Sequence, residues 1–187
     1  MKMIFETHGH YDDEQFDTDR EQLLEEFQRQ DIRYVMNIGA NIATSKASVE
    51  LAHQYDFIYA AIGTHPDDAP ELSDAAIEMY RQMAVDEKVK AIGEIGLDYF
   101  HEDVPKEVQI HWFRKQLAEE LKLPVVIHSR DAAKDTMDIM KEMQGRLCGG
   151  VIHCFSYSTE IAREYIKMGY YIGVGGVVTF NNGRKLK

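Results

Sequence analysis

Five of the eight histidines come at the ends of short apolar runs, where a repeated βα protein gathers the side chains of its active site. They are His8, His10, His65, His128 and His153. In an extended backbone residues i and i+2 point to the same side, so His8 and His10 can face one metal ion. A lone His-x-His is equally typical of a solvated loop, and one histidine at a strand end is more often a hydrogen-bonded core residue. The clustering of all five favours a metal site.

A carboxylate, Glu94, ends another apolar run and is flanked by Gly93 and Gly96, which permit close approach of backbone or ligand. A buried acid is costly unless it is paired or metal-bound. Glu94 therefore either pairs with a cation such as Arg130 or bridges two metal ions, as in the two-metal clamp used for phosphoester hydrolysis. Imidazole and carboxylate ligands suit Zn²⁺, Mn²⁺ or Mg²⁺, although Mg²⁺ favours carboxylate and water. We expect divalent metal ions, two per site, of an identity that the spacing does not specify.

Composition limits the class of protein. The net charge of −11 argues against a chain that coats nucleic acid by counterion release, but it allows an enzyme that holds one phosphate through metal ions. No uncharged apolar run approaches the roughly 20 residues of a membrane span, and acidic residues come too early for a signal peptide. Cys148 and Cys154 lack the Cys-x-x-Cys spacing, so both are expected to be reduced. A cytoplasmic protein is predicted.

Short β-branched runs alternate with amphipathic stretches along the sequence, which predicts seven strands and six intervening helices. The predicted strands are 3–5, 34–38, 57–62, 89–92, 125–127, 151–152 and 171–174. Several are continuously apolar, as in parallel sheets that are covered on both faces. Ser73 and Asp131 are predicted helix N-caps, and Gly145 is predicted to end a helix in the left-handed conformation.

Repeats of this kind form an open doubly wound sheet or a closed (β/α)₈ barrel. No Gly-x-Gly-x-x-Gly follows the first strand, so we favour the barrel. No linker divides the chain, and residues 1–187 are predicted to form a single domain. The 187 residues are about 60 fewer than the roughly 250 typical of this fold. We therefore expect an α/β TIM barrel that is C-terminally incomplete, with the last βα unit absent from this chain.

Five ordered segments contain the polar residues at these strand ends. They are Phe5-Glu6-Thr7-His8-Gly9-His10, Gly63-Thr64-His65-Pro66, Gly93-Glu94-Ile95-Gly96-Leu97-Asp98-Tyr99, Ile127-His128-Ser129-Arg130 and His153-Cys154-Phe155-Ser156. Together they resemble the successive signatures of the TatD-like metal-dependent hydrolases, a branch of the amidohydrolase-type barrels whose characterised members are largely Mg²⁺-dependent deoxyribonucleases. The match spans nearly the whole chain and is far more specific than any one motif.

The resemblance implies a set of roles. The implied metal ligands are His8, His10, Glu94, His128 and His153. Glu94 is implied to bridge the metals, and His65 to contact the scissile phosphate or the attacking water. Two features depart from the family pattern: Glu6 replaces the usual Asp, and the last family ligand, an Asp ending the eighth strand, has no counterpart.

The predicted function is that of a metal-dependent deoxyribonuclease, which cleaves phosphodiester bonds of DNA by two-metal-assisted water attack with Glu94 and His65 in catalysis. The alternatives are another amidohydrolase-type hydrolase (deacylase, esterase or amidase) and an inactive truncated metal-binding remnant. Arg130 is a candidate substrate contact because it can hold a phosphate bidentately, although a salt bridge is equally plausible. Tyr99 could stack on a base or only wall the pocket. Neither a membrane nor an obligate protein partner is predicted.

Overall fold

The protein folds around one curled sheet of seven parallel strands, seen in a computed structural model that describes residues 3–118 and 121–181. Each strand pairs with its neighbours in sequence, in the order β1 to β7. The strands are β1 Ile4–Gly9, β2 Ile32–Ile38, β3 Ile58–Ile62, β4 Val89–Asp98, β5 Val125–Arg130, β6 Gly150–Ile152 and β7 Tyr170–Ile172. This sequential parallel order confirms the predicted α/β fold of the TIM-barrel type. Within the described ranges the sheet is open between β7 and β1.

Six helices connect the strands, as the sequence predicts. They are α1 Arg20–Arg29, α2 Ile42–Gln54, α3 Asp74–Met83, α4 Lys106–Ala118, α5 Ala133–Met143 and α6 Thr159–Lys167. Short 3₁₀ turns cover Glu14–Phe16, Pro66–Glu71, Gln144–Arg146 and Gly176–Thr179. No helix in the described ranges has the length and apolarity needed to cross a bilayer.

The capping predictions have mixed outcomes. Ser73 is confirmed as the N-cap of α3, where its Oγ accepts a hydrogen bond from the Ala76 amide at 3.2 Å. Asp131 is wrong as a cap, because it lies in a turn at φ 53° and α5 begins one residue later, after Ala132. Gly145 is also wrong, because the 3₁₀ turn continues α5 in right-handed geometry and the left-handed conformation comes later, at Gly149.

The Ser73 cap supplies a stability prediction. Ser73→Ala is expected to lower the free energy of unfolding by about 1 kcal/mol, because an amide in the first turn of α3 loses its acceptor. Ser158 occupies the N-cap of α6 without a side-chain cap bond, so Ser158→Ala is a matched control with an expected change below about 0.5 kcal/mol. Urea unfolding measures both variants, and equal losses at the two positions would contradict the assignment.

Apolar side chains form two layers. The larger lies between the sheet and the helices and includes Ile62 and Ile127 on strands and Phe113 on α4, all nearly or fully buried. The smaller contains only strand residues, which therefore lie on the opposite face of the sheet, inside the curl. They are Met36, Ile38, Ala61, Ala91, Val126 and Val151.

The inner face continues to the open side of the sheet. There a cavity of about 620 Å³ is lined by residues that include Phe5 on β1 and Tyr171 on β7. Phe5 is 48% exposed and Tyr171 is 79% exposed. Side chains on both terminal strands are thus exposed where the sheet is open within the described ranges.

Candidate metal centre

The predicted site residues gather at the carboxyl ends of the parallel strands, which share one rim of the sheet. β1, β4 and β5 are longer than predicted, so His8, Glu94 and His128 lie inside strands and do not follow them. His65 and His153 lie just beyond β3 and β6.

A first group consists of His8, Glu94 and His153, whose ligand atoms all lie within 4.8 Å of one another. His8 Nε2 is 3.3 Å from Glu94 Oε2. The imidazole rings of His8 and His153 are stacked, with centroids 3.3 Å apart. Donor atoms around a metal ion bound at about 2.0–2.2 Å are separated by distances of this size.

His10 also contacts this group, and a hydrogen bond fixes which of its two ring nitrogens carries the proton. Its Nδ1 is 2.9 Å from the carbonyl oxygen of Ile38. A carbonyl only accepts, so Nδ1–H is the donor, and Nε2 of the neutral ring keeps a free lone pair. That Nε2 lies 3.1 Å from His8 Nε2. The contact to a carbonyl on the outer nitrogen is the arrangement that orients metal-ligating histidines.

The second group consists of His65, Asp98 and His128. His128 connects the two groups, because its Nδ1 lies 2.9 Å from Glu94 Oε1 and its Nε2 lies 2.9 Å from Asp98 Oδ2. The rings of His65 and His128 meet edge to face, with centroids 4.4 Å apart. The five predicted metal ligands and His65 therefore form one continuous cluster.

Burial and neighbouring groups shift the pKa values of Glu94, His128 and His153 in this cluster. Burial alone would raise the pKa of Glu94, but hydrogen bonds from His128 and His8 outweigh it and hold that pKa well below its usual range. Burial would lower the pKa of His128, but Glu94 and Asp98 outweigh it and raise the value. Burial, reinforced by His8, lowers the pKa of His153 to about 3. At neutral pH the Glu94 carboxylate is thus ionised and the His153 imidazole is neutral, which are the protonation states that metal binding requires of these two groups.

His65 is also neutral at pH 7, because burial lowers its pKa below the ordinary histidine value. Its Nδ1 accepts the Asp67 amide hydrogen at 3.3 Å. The single proton of the neutral ring is therefore on Nε2. His65 can donate one hydrogen bond to an anion placed at this rim.

Gly93 and Gly96 allow strand β4, which contains Glu94, to pack closely against strand β5. A Cβ on Gly93 would lie 2.6 Å from the Val126 Cβ, and a Cβ on Gly96 would overlap the His128 carbonyl oxygen. Gly96 also has φ 151°. The close backbone approach predicted for these glycines is present.

Helix α4 fixes two rim segments through buried glutamines seven residues apart. Gln109 accepts from the Asp98 amide and donates to the Asp98 carbonyl, both at 2.8 Å. Gln116 accepts from the Thr64 amide at 2.8 Å and donates to its carbonyl at 3.2 Å. α4 therefore fixes the backbone of Thr64, which precedes His65, and the backbone of Asp98, whose side chain contacts His128.

The two predicted substrate contacts lie beside the cluster with local partners. The Arg130 guanidinium lies 3.7 Å from the Phe100 ring centroid, and its Nη1 is 3.3 Å from His101 Nε2, so the alternative pairing of Arg130 with Glu94 is not formed. The Tyr99 hydroxyl donates to Asp135 at 2.8 Å, and Lys106 Nζ lies 4.1 Å from the ring centroid. Phe100 is 55% exposed.

Two polar residues at the rim have contacts in the site although the sequence analysis assigned them no role. Asp98 is 1% exposed and contacts His128 directly. Asn37 is fully buried; its Oδ1 accepts from the Tyr11 amide at 2.7 Å and its Nδ2 donates to Asp12 at 2.6 Å, which anchors the segment after His10. Asp98 stands four residues after Glu94, a spacing that puts both acids on one face of a strand and would have identified it.

The residues present fit divalent metal ions. Three histidine rings and a carboxylate converge, and the buried His8 Nδ1 has no hydrogen-bond partner within the described ranges. Nitrogen and carboxylate donors facing one another are stabilised by a cation between them.

A curled parallel sheet that gathers histidines and a buried glutamate at its carboxyl rim defines a metal-dependent hydrolase of the barrel type. Residues 5–187 match the family model described as TatD related DNase. The chain belongs to this family.

Individual relatives agree with that membership. A Bacillus subtilis protein named uncharacterized metal-dependent hydrolase YabD is 43% identical over 187 residues, which cover 99% of this chain and 73% of the relative. A Cronobacter sakazakii protein named 3′-5′ ssDNA/RNA exonuclease TatD is 32% identical, over 88% of this chain and 63% of the relative. The crystal structure of YJJV, a TatD homolog from Escherichia coli, superposes with a TM-score of 0.87 at 33% identity, over 95% of this chain and 70% of that one.

Proposed function

We propose that this metal-dependent hydrolase is a nuclease that hydrolyses phosphodiester bonds of single-stranded DNA, working from strand ends. The observation that carries the proposal is the convergence of His8, Glu94, His128 and His153 at one rim, with His65 beside them. Family membership and the relative named as an exonuclease on single-stranded DNA and RNA support the choice of substrate.

In this proposal the residues that would hold the metal ions are His8, His10, Glu94, His128 and His153, and Glu94 would be the ligand that two ions have in common. Divalent ions bound there supply Lewis-acid polarisation of the phosphate and activation of water at neutral pH. Zn²⁺ and Mn²⁺ suit the histidine-rich donor set, and Mg²⁺ fits less well because it favours oxygen ligands.

The chain's own residues bind and orient the substrate around those ions. His65 carries its proton on Nε2 and donates it in a hydrogen bond to a phosphate oxygen. Ionised Glu94 keeps the ligand nitrogens of His8 and His128 turned toward one point. The burial of Glu94 excludes bulk water, which strengthens the attraction between its negative charge and bound cations.

Arg130 and Tyr99 are the proposed substrate contacts beside this centre. Arg130 is exposed and stacked on Phe100, so its guanidinium remains available to a phosphate while Phe100 offers a ring face to a base. The Tyr99 hydroxyl is already bonded to Asp135, so Tyr99 would contribute its ring. A cytoplasmic location remains a prediction from the sequence.

Metal removal tests the proposal. The chain, dialysed against chelator, is expected to lose at least about 100-fold in its rate of nucleotide release from end-labelled single-stranded DNA, because metal polarisation is worth several kcal/mol. Added Mn²⁺, Zn²⁺ or Mg²⁺ should restore the rate. Equal rates in chelator and in metal would contradict the proposal.

A substrate panel separates the alternatives. Metal-dependent cleavage of a small ester, amide or acylated substrate without cleavage of DNA would favour another amidohydrolase-type reaction. Metal binding with no turnover on any substrate would favour a binding remnant.

A further inference from the structure

We infer that Asp98 is a positioning residue, which keeps the ring proton of His128 on Nε2 and presents Nδ1 to the metal site beside Glu94. The inference rests on the proposed metal binding by His128 and Glu94, and it gives Asp98 a role that the sequence resemblance did not assign to it. Asp98 acts through His128 and does not itself contact substrate.

The two carboxylate oxygens of Asp98 have separate partners. Oδ1 accepts the Phe100 amide at 2.9 Å and the His101 amide at 3.3 Å. Oδ2 lies 2.9 Å from His128 Nε2. An ionised carboxylate only accepts hydrogen bonds, so Nε2 of His128 is the donor.

Asp98 has little freedom to rotate away from this arrangement. Its side chain is buried, and its own amide and carbonyl are both held by Gln109 on α4. The backbone and the side chain are thus fixed by different elements. A rigid acceptor of this kind orients an imidazole and selects its tautomer.

The selected tautomer decides which nitrogen can bind metal. Without metal, Nδ1 of His128 lies 2.9 Å from Glu94 Oε1 and donates to it, because this carboxylate also only accepts. A metal ion bound beside Glu94 would take the place of the Nδ1 proton, while Asp98 keeps the other ring proton on Nε2. Nδ1 and Glu94 would then face the same ion as two ligands. Residues that orient metal ligands in this way typically change metal affinity by about 10- to 100-fold when they are replaced.

Asp98→Asn is the most informative variant, because only one orientation of the asparagine side chain avoids placing two hydrogen-bond donors against each other. Its carbonyl oxygen must face the Phe100 and His101 amides, since an NH₂ group there would place donor against donor. Its NH₂ group then faces His128 Nε2, which has to become the acceptor. The ring then keeps a single proton, on Nδ1 and bonded to Glu94, where it blocks metal binding.

The test uses the full chain with Zn²⁺ as the probe. Calorimetric titration is expected to show about 10- to 100-fold weaker Zn²⁺ binding for Asp98→Asn than for the unsubstituted protein. Nitrogen-15 NMR of labelled histidine rings, with His128 assigned from a His128→Gln spectrum, is expected to show a proton on Nε2 alone in the Zn²⁺-loaded unsubstituted protein and a proton on Nδ1 in the variant. A merely structural role for Asp98 would not exchange the two signals.

Asp135→Asn is the matched control. It removes one charge from a nearby carboxylate but keeps an oxygen to accept from the Tyr99 hydroxyl, so Zn²⁺ affinity and the His128 tautomer should not change. Unaltered Zn²⁺ affinity in Asp98→Asn, or a neutral His128 ring with its proton on Nδ1 in the unsubstituted protein, would overturn the inference. The second readout needs no variant, and neither needs nuclease activity, so failure here is distinguishable from failure of the proposed reaction.

Discussion

Glu94→Gln is expected to reduce metal-dependent DNA hydrolysis by about 1000-fold or more, the largest loss we expect from any single isosteric change. Glu94 is 5% exposed and accepts from both His8 and His128, so it is the acid that joins the two halves of the cluster. Glutamine keeps the size of the side chain but removes the charge that attracts the cations. Loss of about 4 kcal/mol of electrostatic stabilisation in the transition state corresponds to that rate factor.

Two measurements separate the causes of this loss. Zn²⁺ titration reports whether the variant still binds metal, and initial rates on end-labelled single-stranded DNA report catalysis. Glu87→Gln makes the same chemical change at an exposed position and should leave both within about twofold, as surface substitutions usually do. If Glu94→Gln retains the metal affinity and the rate, Glu94 is not a ligand.

The histidines could be predicted because the signal was local. Each lies at an apolar β-branched run, and in a parallel repeat the ends of such runs meet at one rim whatever the details of packing. His8 and His10 needed only the period of two residues. The structure brings these residues together as that reasoning predicts.

The extent of β4 was less predictable. The predicted strand 89–92 ends where Gly93 and Glu94 interrupt the apolar pattern, yet the observed strand runs to Asp98. Pairing with β5 continues through Gly96, Leu97 and Asp98, so tertiary contacts override weak local propensity. Ending the strand early removed the alternation that places Asp98 on the same face as Glu94.

The roles of the buried side chains of Gln109 and Gln116 could not be predicted from the local sequence, for a different reason. Gln116 binds the backbone of Thr64 across 52 positions of sequence, and Gln109 binds that of Asp98 across 11. Glutamine is ordinarily an exposed helix residue, and nothing in α4 alone marks these two as buried. Their role follows from the backbone groups left without partners where β3 and β4 end, which have to be satisfied from elsewhere in the fold.

Gly96→Ala is expected to destabilise the fold by about 4 kcal/mol or more, which is at the extreme for a single methyl group. A Cβ at this position would overlap the His128 carbonyl oxygen and approach the His128 carbonyl carbon to 2.8 Å. The obstacle is backbone on the paired strand, so no side chain can rotate to make room. The φ of 151° adds strain for any residue with a Cβ.

The same overlap connects stability to the metal site, because relieving it means moving β5 at the residue that contacts Glu94. Gly96→Ala should therefore lower Zn²⁺ affinity together with the free energy of unfolding measured in urea. Gly145→Ala is the matched control: a Cβ there has no neighbour within 4 Å, and the residue continues a right-handed turn, so a change between zero and about 1 kcal/mol of stabilisation is expected. A loss of under about 1 kcal/mol for Gly96→Ala would mean that β4 and β5 can separate without cost, contrary to the register that holds Glu94 against His128.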